Sequence, residues 1–162
     1  MKSLNFLIKL KKEGKLEIVE ISKEMSTSYE KKGIECREVA KLTFNSNYFE
    51  SAITQSYYSM YNNLLSLFFK CGIKCENHSA SAIILRDIFN QKELYEEFSK
   101  AKEERIDKQY YTPASQSTPL TKEFANQTIN LMTSFNPKII ALKINLNSEE
   151  INKIREKINS LT

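Results

Sequence analysis

Apolar and polar positions alternate along most of this chain with the period of an α-helix, in which side chains three and four apart share a face. Ser3 to Lys12 reads as a short helix stopped by Gly14. A second helix is predicted from near Leu16 to about Phe44, with Met25, Tyr29, Cys36, Val39 and Thr43 on its apolar face and Gly33 as a local weakness. Asn45, Ser46 and Asn47 make the turn that follows, because their short polar side chains bond nearby backbone. The densest pattern runs from Tyr48 to Cys71. Phe49, Ala52, Ile53, Ser56, Tyr57, Met60, Leu64 and Leu67 form one stripe, widened by Tyr58, Tyr61, Leu65, Phe68 and Phe69. A helix apolar round most of its circumference is covered on several sides by its own bundle, or on one side by a second subunit. Gly72 supplies its stop.

Asn77 or His78 can cap the next short helix, through Ala82, Ile83, Leu85 and Phe89, and Asn90-Gln91 breaks it from another running from Lys92 to about Tyr110. Thr112 to Pro119 has neither periodicity nor large apolar residues and reads as a mobile loop. Thr121 then caps a helix with Phe124, Thr128, Leu131 and Phe135 on its face. Asn136-Pro137 is expected to end that helix, since proline disfavours helical geometry in the residue before it. Beyond it Ile140, Leu142, Ile144 and Leu146 alternate, which fits an extended link and an irregular helix equally well. Ser148 is expected to cap a last helix, with Ile151, Ile154, Ile158 and Leu161 on one side. The chain therefore reads as all-α: a helical bundle over residues 1–136 and an extension with one helix over 137–162.

Composition narrows this further. A chain of 162 residues suits one domain, and only three glycines and three prolines leave too few turn residues for an all-β fold. The net charge of +4 permits contact with phosphate but predicts no partner by itself. No apolar run reaches the roughly 20 residues of a membrane span, and Met1 to Leu10 lacks the features of a signal peptide, so a cytoplasmic protein is expected. Three cysteines cannot all pair internally and suit free thiols in a reducing compartment.

Candidate chemistry is sparse. Leu94, Phe98 and Ala101 step along a core-facing stripe whose next position is Arg105. A guanidinium cannot shed its charge, so Arg105 needs a carboxylate, a phosphate or an opening to solvent. Its structural reading is an ion pair or a snorkelling side chain; its functional reading is a phosphate ligand. His78 is the only histidine, and either caps its helix or lines a pocket near Arg105, where the helix N-terminus would favour an anion. Cys71, Cys75 and His78, with Cys36, offer zinc-ligand types at a spacing that matches no standard knuckle, and buried cysteine is the commoner role. No metal or other cofactor is expected. A glycine-rich phosphate loop, an HExxH motif and a G-x-S-x-G elbow are all absent, which removes the usual NTPase and hydrolase classes.

Tyr57-Tyr58-Ser59-Met60-Tyr61, then Gly72-Ile73-Lys74, His78-Ser79, Arg105 and Tyr110-Tyr111 occur in the order seen in stand-alone prokaryotic HEPN domains, which this chain resembles from about Asn47 to Phe135. The resemblance implies an antiparallel bundle of four to five helices with the C-terminal helix as an addition. It also implies a homodimer, RNA or nucleotide as ligand, and association with a minimal nucleotidyltransferase in toxin–antitoxin pairs. Many relatives are metal-independent endoribonucleases with an R-x4–6-H motif, in which arginine stabilises charge on phosphate and histidine moves protons. Here Tyr110 stands where that histidine would be. The implied catalytic pair is thus Arg105 and Tyr110, with Arg105, His78, Asp107 and Tyr111 as nucleotide or phosphate ligands. Tyrosine, with a pKa near ~10, is a poor base at neutral pH. Five helical residues also carry Tyr110 roughly 140° round from Arg105, so the two meet only if the helix ends early or across a dimer axis. A non-catalytic interaction module is the alternative.

Overall fold

Phe49–Lys70 is the helix around which the rest of the chain is built. The computed structural model describes the backbone of residues 2–110 and 121–162, and the side chains of 3–105 and 121–162. Its elements are α1 (Lys2–Lys12), β1 (Leu16–Ile18), α2 (Lys23–Asn45), α3 (Phe49–Lys70), β2 (Ile73–Cys75), α4 (His78–Asp87), α5 (Lys92–Tyr110), α6 (Lys122–Asn145) and α7 (Ser148–Asn159). The expected all-α class holds, with one small sheet added. α3 buries Tyr57, Met60, Leu64 and Phe68 along with Ser59, Asn63 and Ser66. α2, α5 and α6 pack against it from different sides, so its apolar girth is covered within the chain.

The apolar face predicted for α2 holds in part: Tyr29, Cys36, Val39 and Thr43 are half-buried, with Tyr29 stacked on Phe69 at 5.3 Å, but smaller residues occupy its centre. Ser26, Gly33 and Ala40, seven apart, are its buried positions, whereas Met25 is exposed. Small residues let α2 approach α3 closely: a Cβ on Gly33 would lie 2.9 Å from the Asn63 side chain. Polar groups fill the seam. Ser59 Oγ donates to Gly33 O at 2.7 Å, and Asn136 Nδ2 donates to Ser59 Oγ at 2.9 Å. Ser26 Oγ donates to Ser66 O at 2.8 Å, and Lys143 Nζ donates to Ser66 Oγ at 2.9 Å while pairing with Glu30. Three helices are thereby pinned in register by buried hydrogen bonds, each costly to leave unmade.

That seam also explains why α6 does not stop at Pro137. The helix continues to Asn145, burying Phe135, Asn136, Ile139 and Lys143. A proline inside a helix costs about 3 kcal/mol, and packing on both sides of it outweighs that cost. The alternating segment after Pro137 is regular helix.

Residues expected to start the second helix form β1 instead, antiparallel to β2 with Leu16 opposite Cys75 and Ile18 opposite Ile73. α2 begins only after Ser22, whose hydroxyl accepts from Met25 N at 3.1 Å. The last helix is likewise capped one residue earlier than expected: Asn147, not Ser148, forms a capping box with Glu150. α7 then docks on its own chain through buried Ile151, Ile154, Ile158 and Leu161. Arg155 Nη1 completes the docking by donating to Val19 O and Cys71 O at 2.9 Å and to Gly72 O at 3.2 Å. Among the described residues no helix is long and apolar enough to cross a membrane.

Candidate functional site

α5 and α4 meet over the middle of α3, and Arg105 sits at that junction. Leu94, Phe98 and Ala101 are buried below it, continuing the stripe that leads to the arginine. The guanidinium lies 4.7 Å from the Tyr58 ring centre and 5.3 Å from that of Tyr57, and its Nη2 donates to Tyr58 Oη at 2.9 Å. Two ring faces and one hydroxyl orient it without neutralising it. Its Nε is buried with no hydrogen-bond partner among the described residues. The neighbouring carboxylate of Glu104 is turned away and accepts from Thr128 Oγ1 at 2.9 Å.

Asn77 caps α4, accepting from Ala80 N at 2.9 Å, which leaves the His78 side chain for another contact. His78 Nδ1 is 2.5 Å from Tyr57 Oη, and its ring lies 4.0 Å, centre to centre, from that of Tyr61. His78 and Arg105 therefore both rest on Tyr57, one at its hydroxyl and one over its ring. Burial, then the positive charges of Arg105 and Lys102, pull the His78 pKa from its ordinary 6.5 to about 4. Burial pushes the Tyr57 hydroxyl well above the usual tyrosine range. At neutral pH the pair is a neutral imidazole against a neutral phenol.

A pH prediction follows, because His78 is the only histidine. Its folded pKa lies below the unfolded one, so the unfolded chain takes up the proton first as pH falls. Its contribution to stability is complete above 6.5 and is lost as pH falls toward 4. Since the ring is partly solvated, the expected loss is about 1–2 kcal/mol. Between pH 6.5 and 5 carboxylates are still largely ionised, so this slope belongs to His78. Thermal unfolding measured from pH 7.5 to 5 should show it in the wild type and not in His78→Gln. Parallel profiles would refute the assignment.

Lys102 is a participant that the sequence reading did not single out. Its Nζ donates to Ser79 Oγ at 2.6 Å, at the start of α4. Three residues from Arg105 on α5, it places a second half-buried cation beside the first. The signal for it was the Lys102 to Arg105 spacing combined with the His78-Ser79 pair, and the contact between α4 and α5 was needed to join them. The side chains of Asp107 and Tyr110, and all of Tyr111 and the predicted loop Thr112 to Pro119, lie outside the described residues. α5 remains helical to Tyr110. Among the described residues no three histidine, cysteine or acidic side chains are grouped to hold a metal ion, so Cys71, Cys75 and His78 do not converge on one. Cys71 is fully buried, with a thiol pushed up to about 12 by desolvation.

No curated protein and no solved structure matches the chain. A family model described as the HEPN domain matches residues 27–137, which takes in nearly all of α2, all of α3, α4 and α5, and the Arg105 site, leaving α1, β1 and α7 outside. That span is more than half of the chain, and the chain belongs to the HEPN domain family.

Proposed function

We propose that this HEPN domain binds RNA or a nucleotide by gripping a phosphate at Arg105 and Lys102. The observation that carries the reading is that two half-buried cations stand side by side at the N-terminal end of α4 and, among the described residues, neither forms an ion pair. A partly desolvated charge without a counter-charge is costly, and an anionic ligand supplies one. The dipole of α4 adds to the attraction. Tyr57, held by His78, and Tyr58 act as positioning residues that keep the guanidinium aimed. His78, being neutral, contributes alignment to this site and not charge.

A second reading is a metal-independent endoribonuclease of toxin type, with Arg105 stabilising phosphate charge and Tyr110 as its partner, flanked by Asp107 and Tyr111. α5 is helical to Tyr110, and five positions of an ideal helix are roughly 140° apart, so this reading calls for a homodimer. Against it, neither His78 nor Tyr57 titrates near neutral pH. A binding module paired with a minimal nucleotidyltransferase fits these two groups better.

Fluorescence anisotropy with a labelled single-stranded RNA in EDTA tests the binding, and electrophoresis of the same samples tests cleavage. Arg105→Ala is expected to weaken binding at least tenfold, with intact RNA in every tube. Equal affinity in wild type and variant would overturn the phosphate assignment. RNA cut by the wild type but not by Arg105→Ala would establish the nuclease reading.

A further inference from the structure

Beside the two cations, α4 and α5 enclose a cleft of about 180 Å³ lined by Ser79, Ala82, Ile83, Tyr95, Ser99 and Lys102, with Glu103 at its edge. Ligand pockets for drug-sized molecules run to about 300–1,000 Å³, so this space suits a single flat ring system. Its lining is ordered as a nucleoside would need. Lys102 and Ser79 close the end nearest Arg105. Ala82 and Ile83 give an apolar wall, and Tyr95 a ring on which a base can stack. The Tyr95 ring is held by Arg86, whose guanidinium lies 4.8 Å from its centre and is itself fixed on Asp87 by bonds of 2.7 and 3.0 Å. Glu103 is exposed on the rim, where its carboxylate repels a phosphate but can accept from the amino group of a base.

We propose that the α4–α5 cleft is a nucleoside subsite, taking one base of a single-stranded RNA whose backbone phosphates sit on Lys102 and Arg105. Tyr95 and Lys102 lie seven residues apart on one face of α5, and Arg105 is one turn further on. Two helical turns are about 10 Å, the scale of one to two nucleotides. The subsite rests on the phosphate reading above, and it adds that the ligand is recognised by a base as well as by charge.

Two labelled probes separate the two ideas: a five-nucleotide single-stranded RNA, and an abasic ribose-phosphate strand of the same length. The wild type is expected to bind the RNA about tenfold more tightly than the abasic strand. Tyr95→Ala should erase that difference while leaving affinity for the abasic strand unchanged. Ser99→Leu, which adds bulk to the cleft lining and leaves Tyr95 in place, should do the same, with circular dichroism confirming the fold of each variant. Arg105→Ala should weaken both probes together. Equal wild-type affinity for the two strands, or Tyr95→Ala and Ser99→Leu both retaining the preference for RNA, would overturn the subsite and leave the phosphate site standing. Failure of the wild type to bind either strand would remove both.

Discussion

Gly72→Ala is expected to lower stability by about 3 kcal/mol, against about 1 kcal/mol for Gly14→Ala. The two glycines share a left-handed backbone, with φ of +65° and +66°, so the conformational penalty of a side chain is the same at both. Their surroundings differ. A Cβ at Gly14 meets nothing within 4 Å, whereas one at Gly72 would lie 1.9 Å from Arg155 Nη1 and 2.5 Å from Val19 O. The arginine can swing away only by giving up its three carbonyl partners. The Val19 carbonyl belongs to backbone held by its own amide, which donates to Gly72 O at 2.8 Å. Gly72→Ala therefore detaches α7 from the β1–β2 end of the bundle as well as straining the turn. Urea unfolding of the two variants beside the wild type measures the difference; equal shifts of the midpoint would show that Arg155 does not seat on Gly72.

Phe98→Ala is expected to cost about 3–5 kcal/mol, the range for emptying a fully buried aromatic site. For a chain of this length that corresponds to a melting temperature lower by roughly 10 °C. Phe98 is wholly inaccessible, and its ring centre lies 5.5 Å from Tyr57, 6.2 Å from Tyr61 and 5.8 Å from Phe135. It joins α5 to α3 and α6 at the level of the candidate site. A cavity here removes support from Tyr57, on whose ring Arg105 rests, so RNA affinity should fall along with stability. Phe98→Leu keeps most of the volume and should lose well under half as much. Calorimetry of the three proteins reads the effect, and a loss below about 1 kcal/mol for the alanine variant would contradict this packing.

Much of the fold was legible in the residues because it depends on local periodicity. α3 spans Phe49 to Lys70, between the predicted limits of Tyr48 and Cys71, since its apolar stripe and Gly72 are both local signals. α5 and its stripe from Leu94 to Arg105 were readable for the same reason. Apart from the cap of α7, which a neighbouring Glu150 decides, the errors share one cause: the deciding partner is distant in sequence. A three-residue strand has no period to detect, and β1 exists because β2, more than fifty residues later, pairs with it. Met25 looked buried and is exposed because close approach of α2 to α3 selects the small residues Ser26, Gly33 and Ala40. Local propensity predicted a stop at Pro137, and the packing of Asn136 and Lys143 on α3 carried α6 past it.

The candidate site divides in the same way. From sequence alone Arg105 was conspicuous, because a charge at the end of an apolar stripe needs an explanation wherever it lies in space. The family also followed from sequence, as an ordered series of short motifs from Tyr57 to Tyr111. Tertiary structure alone set Arg105 over Tyr57 and Tyr58, paired His78 with Tyr57, and drew Lys102 to Ser79. Periodicity tells which face of a helix is buried but not which neighbour it faces. The charge state of His78, and the lack among the described residues of an ion-pair partner for Lys102 and Arg105, depend on that neighbour.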